Sequence, residues 1–143
     1  MQSFGSSAKR IEDPILLKGE GNFTDDIHLP GLLTAAMLRS PYAHARIKSI
    51  DPSPALELDG VHLVLQNSDL ALEYKSTKLP LMVPNPLITK PVTPHMLAKD
   101  YVRYVGEPVA LVVAENRYIA EDALELVVVD YEALPVASDF REA

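Results

Sequence analysis

The chain has 143 residues, of which 48% are apolar and 23% charged, and its 13 Lys and Arg face 20 Asp and Glu for a formal net charge of −7. That length and balance fit one folded domain with a sizeable core, and they exclude wholesale disorder. The acidic excess provides no positive field for phosphate backbones or anionic lipid, so neither nucleic acid nor a membrane is expected as the main partner.

With no cysteine, the chain cannot itself supply disulfides, thiolate zinc sites, cysteine-ligated iron–sulfur clusters or a thiol nucleophile. Its first ten residues are polar and Ser-rich without a signal-like apolar core, and no stretch approaches a membrane span. A cytoplasmic, reducing compartment is the expected home.

In chain order, residues 1–9 read as a flexible tail, because Ser3, Gly5, Ser6 and Ser7 bring little apolar area to offset ordering. Residues 10–31, with Gly19, Gly21, Asp25-Asp26 and Leu29-Pro30-Gly31, read as turns joined by short extended pieces. A strand over 32–38 is apolar enough to be buried on both faces and stops at Arg39-Ser40-Pro41. A second, over 46–50, has one wet face. Asp51-Pro52 is a helix start, with the Asp oxygen accepting from free backbone N–H groups. Ala55, Leu56 and Leu58 give that short helix an apolar side, Gly60 supplies a left-handed stop, and 61–65 is a strand.

Between about 71 and 99 the prolines Pro80, Pro84, Pro86, Pro91 and Pro94 disfavour a regular helix or a central strand. Leu79, Leu81, Met82, Val83, Leu87 and Ile88 lie among them, so this arm reads as an extended, partner-facing strip. Residues 108–114 then form a near-continuous apolar strand. Asn116 is placed as an N-cap for a helix over 117–126, with Ile119, Ala120, Ala123, Leu124 and Val127 at helical spacing. The β-branched run Val127-Val128-Val129 turns the preference back to strand as far as Tyr131. The expected architecture is α+β: a mixed sheet with two short strand–helix–strand units.

Chemistry is sparse along this chain. His28, His44, His62 and His95 fall in four segments without metal-ligand spacing. His44, in Ser40-Pro41-Tyr42-Ala43-His44-Ala45-Arg46, follows a buried strand, where a ring nitrogen fixes backbone carbonyls; it is read as structural. Gly19-Glu20-Gly21-Asn22-Phe23-Thr24 lacks the third small residue, the preceding strand and the following helix of a dinucleotide loop. Asp25-Asp26 and Glu121-Asp122 are sequence neighbours that do not face each other and read as solvated surface. Asn22-Phe23-Thr24 matches a glycosylation acceptor by form alone, and no Ser lies in a nucleophile-elbow context. Glu107, between Gly106 and Pro108 at the mouth of a buried strand, is read as a structural brace ahead of a catalytic base. A small independent enzyme would rest on Glu107 with His44, which is the one pairing worth checking.

Six motifs occur in order: Arg10-Ile11-Glu12-Asp13-Pro14, Gly19-Glu20-Gly21-Asn22-Phe23-Thr24-Asp25-Asp26, Leu29-Pro30-Gly31, Arg39-Ser40-Pro41-Tyr42-Ala43-His44-Ala45-Arg46-Ile47, Tyr104-Val105-Gly106-Glu107-Pro108-Val109-Ala110, and Tyr118-Ile119-Ala120-Glu121-Asp122-Ala123 through Val129-Asp130-Tyr131-Glu132. Across residues 10–137 this series resembles the opening of the large subunit of molybdenum hydroxylases, the xanthine dehydrogenase and aldehyde oxidase family. Within it, the series is most similar to the aerobic carbon monoxide dehydrogenase branch.

The resemblance implies an α/β hammerhead domain spanning 10–143, with the proline-rich arm at about 71–99. It implies no catalytic, cofactor-binding or metal-binding residue in this chain. Molybdopterin with its molybdenum, [2Fe–2S] clusters and FAD are implied for the full enzyme, carried elsewhere. The implied partners are the molybdopterin-binding remainder of the large subunit, in the same or a separate chain, and iron–sulfur and flavin subunits or domains. The chain is thus expected to be either a cut piece of a longer polypeptide or one product of a split gene. The leading reading is a structural domain that is not catalytic alone; the alternative is a free-standing protein-binding module using the proline-rich strip or the turn around His44.

Overall fold

The computed structural model describes residues 5, 9–80, 83, 85–88, 93–139 and 141. The chain forms two compact units, Met1–Leu32 and Leu33–Ala143. The expected tail falls largely outside the described residues, as do Leu81, Met82, Pro84 and Pro91 of the arm.

In the first unit a short helix α1 (Asp13–Leu17) starts with Pro14 in its first turn, and a single 3-10 turn follows at Thr24–Asp26. Turns and extended pieces alone are therefore not what the chain adopts here. Pro14 removes only an N–H that has no partner in a first turn, so it favours the helix it sits in. The 3-10 turn is closed by Asp26, whose Oδ2 accepts from the Phe23 N–H at 2.9 Å.

The second unit contains two three-stranded sheets. The first has the order β1 (Thr34–Arg39), β5 (Pro108–Ala114), β3 (Val61–Leu65). The second has the order β4 (Tyr101–Val102), β2 (Ala45–Asp51), β6 (Val128–Ala133). Every described strand pairing is antiparallel, which corrects the expected single mixed sheet. The strand–helix–strand units are present, but each one changes sheets. From β2 the chain passes through α2 (Ser53–Leu56) to β3, and from β5 through α4 (Arg117–Leu126) to β6. A crossover helix forces parallel pairing only when both its strands join one sheet. The α+β class stands.

The local signals explain the elements. Ser53 N–H donates to Asp51 Oδ1 at 3.0 Å before α2. Gly60 takes φ +86°, a left-handed turn residue, before β3. Asn116 caps α4 by accepting from the Ile119 N–H at 3.0 Å. In β2 a bulge between Ile47 and Ser49 lets Ile47 and Ile50 both face inward, although three residues apart on a regular strand they would point oppositely.

Two apolar clusters hold the unit together. One joins Ala55 of α2, Val112 of β5, Ala123 of α4 and Val127, flanked by Leu38, Val61 and Val64. The other joins Ala45, Ala98, Val102 and Val109. Ile50 and Val129 pack on both, so the helix-covered side of the first sheet is continuous with the inner face of the second. The reading of β1 as buried on both faces is not met: Thr34, Ala36 and Leu38 are half-buried while Ala35, Met37 and Arg39 are exposed. Another element absent from the sequence reading is α3 (Asn67–Glu73), whose start is set by Asp69 Oδ2 accepting the Gln66 N–H at 2.7 Å.

Candidate functional site

Polar side chains concentrate where β1 ends and β5 begins. Ser40 N–H donates to the Glu107 carbonyl at 2.9 Å, and Gly106 N–H donates back to the Ser40 carbonyl at 2.8 Å. Gly106 has φ +88°, and the Glu107 N–H closes the turn onto the Tyr104 carbonyl at 3.2 Å. The Arg39 guanidinium donates to the Gly106 carbonyl at 2.9 Å. Two strand ends are thus stitched through main-chain groups that an open end would leave unpaired.

Among the described residues Glu107 is the largest fully buried side chain, with 2% exposure. Its Oε2 accepts the Arg103 N–H at 2.5 Å, a charge-assisted bond that ties the segment after β4 to the start of β5. Its partner is therefore a backbone group four residues earlier. That is the geometry of a brace. Beside it, Ser40 Oγ accepts the Tyr42 N–H at 3.0 Å. Burial pushes the Tyr131 hydroxyl pKa up, against the opposing pull of the Ser40 side chain. The Tyr42 and Tyr131 rings lie 5.1 Å apart, which packs the turn onto β6.

His44 does what its turn position suggested. Its Nδ1–H donates to the Pro135 carbonyl at 2.8 Å while its own carbonyl accepts the Leu134 N–H at 3.0 Å. His44 and Glu107 each hold a backbone partner of their own, and among the described residues no hydrogen bond joins the two side chains.

A recess of about 290 Å³ opens against Glu107, with Lys78, His95, Arg103 and Tyr104 in its walls. His95 Nδ1 lies 2.7 Å from the Oγ1 of buried Thr77, and Lys78 bridges to His95 in antiparallel fashion. Together with the Met96 N–H donating to the Thr77 carbonyl at 2.8 Å, these contacts clasp the two ends of the proline-rich arm. Burial first, then the charges of Lys78, Arg103 and Lys99, hold the His95 pKa below its ordinary value, with Asp100 opposing. Sequence reading passed over this clasp and over Asn67, whose Nδ2 donates to the Leu97 carbonyl at 2.7 Å. In both cases the partners lie 18 and 30 residues apart, beyond any local pattern.

Among the described residues no three His, Cys, Asp or Glu side chains converge as metal donors. With no cysteine in the sequence, the donors do not fit an iron–sulfur cluster. Among the described residues no helix is long and apolar enough to cross a membrane.

Comparison with known proteins places this geometry in context. The family described as aldehyde oxidase and xanthine dehydrogenase, a/b hammerhead domain, matches residues 18–135. The carbon monoxide dehydrogenase large chain of Afipia carboxidovorans is 46% identical over 139 residues, covering 97% of this chain and 16% of that one. The nicotine 6-hydroxylase large subunit of Paenarthrobacter nicotinovorans is 44% identical, covering 97% and 17%. Among solved structures, a Cu,Mo-CO dehydrogenase in the carbon monoxide reduced state superposes with TM-score 0.81 at 44% identity, covering 94% of this chain and 16% of that chain. Quinoline 2-oxidoreductase from Pseudomonas putida 86 gives TM-score 0.78 at 44% identity, covering 94% and 17%. The chain spans about one sixth of the length of these relatives.

Proposed function

Because this chain belongs to the aldehyde oxidase and xanthine dehydrogenase family of molybdenum hydroxylases, as the α/β hammerhead domain of its large subunit, we propose that it is a structural domain, packing on the cofactor-binding remainder of such a subunit without turning over substrate itself. The observation that carries the reading is the length relationship. Nearly the whole chain aligns with a small part of each relative, while the buried side chains of Glu107 and Asn67 are committed to backbone partners.

In this reading residues 10–143 act as one domain, since the family match runs through both compact units. The assembled enzyme oxidises carbon monoxide, an aldehyde or an aromatic heterocycle, with molybdopterin, [2Fe–2S] clusters and FAD held by other domains or subunits. The cytoplasm is its compartment, and iron–sulfur and flavin subunits or domains are its further partners.

The test co-expresses this chain with the remainder of the Afipia carboxidovorans large chain as a separate polypeptide, alongside that enzyme's own corresponding segment. Capture of the remainder by this chain is expected. The chain purified alone is expected to show neither molybdenum near one equivalent nor dye reduction with purines, aldehydes or carbon monoxide. Failure of capture where the enzyme's own segment succeeds, or molybdenum with turnover in the chain alone, overturns the reading.

A further inference from the structure

The two sheets of the second unit treat their second faces differently. The second sheet presents a polar outer face, with Arg46 opposite Glu132 and an ion pair of Lys48 with Asp130 at 4.0 Å. A half-buried antiparallel sheet facing water has that pattern. On the first sheet, α2 and α4 cover the side carrying Leu38, Val112, Val61 and Val64. The opposite side is built from Ala35 and Met37 of β1, Leu111 and Val113 of β5, and Leu63 and Leu65 of β3.

Register brings these six together. Ala35 and Leu63 both lie opposite Val113, and Met37 and Leu65 both lie opposite Leu111. They form a patch three strands wide and two residues deep, without a polar side chain. Met37 is 45% exposed and Leu63 36% exposed. A sheet that kept this face in water would gain from a polar residue at any of the six positions, and none has one. Contiguous apolar surface of this kind marks an interface.

We infer that this open face of the β1–β5–β3 sheet is the surface on which the rest of the large subunit lies, through an apolar complement that buries it permanently. The inference rests on the proposed function and adds to it the face that docks. The occupant follows from length and chemistry. In the Afipia relative about five sixths of the chain lies outside the matched segment, so a large body of the same polypeptide is present wherever this domain occurs in it. Six uncharged positions in a block, with Arg39 of β1 only at the edge, suit permanent cover, because obligate interfaces are more apolar than transient ones.

The absence of cysteine makes the test direct. Single variants Met37→Cys, Leu63→Cys and Ala35→Cys report on the face, and Tyr118→Cys, at a residue of α4 that is 79% exposed, is the control. Each is labelled with a maleimide, alone and in the complex captured with the Afipia remainder, and read by mass spectrometry of the peptide carrying the site. In the complex, labelling at 37, 63 and 35 is expected to slow by about tenfold or more through loss of access, with 118 unchanged. Three sites keep the test open if one variant folds poorly, which circular dichroism reports.

Equal labelling at these sites in the free chain and the captured complex overturns the inference and leaves the proposed function standing. Protection in the free chain that disappears on dilution identifies a second copy as the occupant, which also overturns it. A wild-type chain that captures no remainder overturns the proposed function, and this inference with it.

Discussion

The main-chain N–H of Arg103 donates to the Oε2 of Glu107 at 2.5 Å, and this bond accounts for a carboxylate held at 2% exposure. A buried charge is tolerated where it is paired or hydrogen-bonded, and here the bond also fixes the segment leading out of β4 against the first residues of β5. Replacing Glu107 with Ala leaves the Arg103 N–H without its acceptor, at an expected cost of about 1–3 kcal/mol in urea denaturation. Glu107→Gln retains an acceptor oxygen and is expected to lose less than Ala. Equal losses for the two variants would show that the bond is not what the side chain contributes.

Gly60 faces a second constraint, from both its backbone and its neighbour. At φ +86° a side chain is strained, and a Cβ added there would stand 2.7 Å from Ile119 Cδ1. Gly60→Ala is expected to cost about 1–2 kcal/mol for the left-handed backbone, and more while Ile119 keeps its position. Ile119→Val removes the offending methyl. A double-mutant cycle should therefore show the second substitution recovering the steric part of the loss and leaving the backbone part.

The sequence was most readable where partners are near neighbours. Gly60 before β3, Asn116 before α4 and the apolar run of β5 are local patterns, and the structure uses each as its chemistry suggests. His44 was readable in kind, though its carbonyl partner on Pro135 is 91 residues away. What stayed hidden was long-range. Glu107 and the Thr77–His95 clasp could not be resolved into contacts, and α3 was missed beside a proline-rich stretch that dominated its neighbourhood. The separation of the strands into two sheets depends on where each crossover lands, which periodicity does not encode. An unbroken apolar strand reads as doubly buried, and on the first sheet the second cover is not supplied by α2 or α4.

Two asparagines test that distinction energetically. Asn116 caps α4 within three residues, and Asn116→Ala is expected to cost about 1 kcal/mol, with Asn116→Asp retaining most of the stability. Asn67, 5% exposed, holds the Leu97 carbonyl from 30 residues away. Asn67→Ala leaves that carbonyl without its bond, and the expected cost is about 1–3 kcal/mol. Hydrogen exchange separates the two further. Loss of the cap should raise exchange in the first turn of α4, whereas loss of Asn67 should raise it at both α3 and the segment around Leu97.

His95 makes stability depend on pH in a defined direction. Its pKa in the folded chain lies below the ordinary 6.5, because burial and then Lys78, Arg103 and Lys99 disfavour the charged ring. The unfolded chain therefore takes up the proton first, so this contribution to stability is complete above pH 6.5 and is lost as pH falls toward the folded value. Asp51 and Asp139 are held below 3.8, and their contribution is complete above that value and lost as pH falls below it. Urea midpoints between pH 6.5 and 3.8 should fall less steeply for His95→Gln, which retains hydrogen-bonding atoms toward Thr77, than for the wild type. Salt divides the causes. The repulsion from Lys78, Arg103 and Lys99 is screened and the burial penalty is not, so added salt should shrink the slope without abolishing it. A slope identical in the wild type and His95→Gln would show that neither burial nor those three cations acts on this ring.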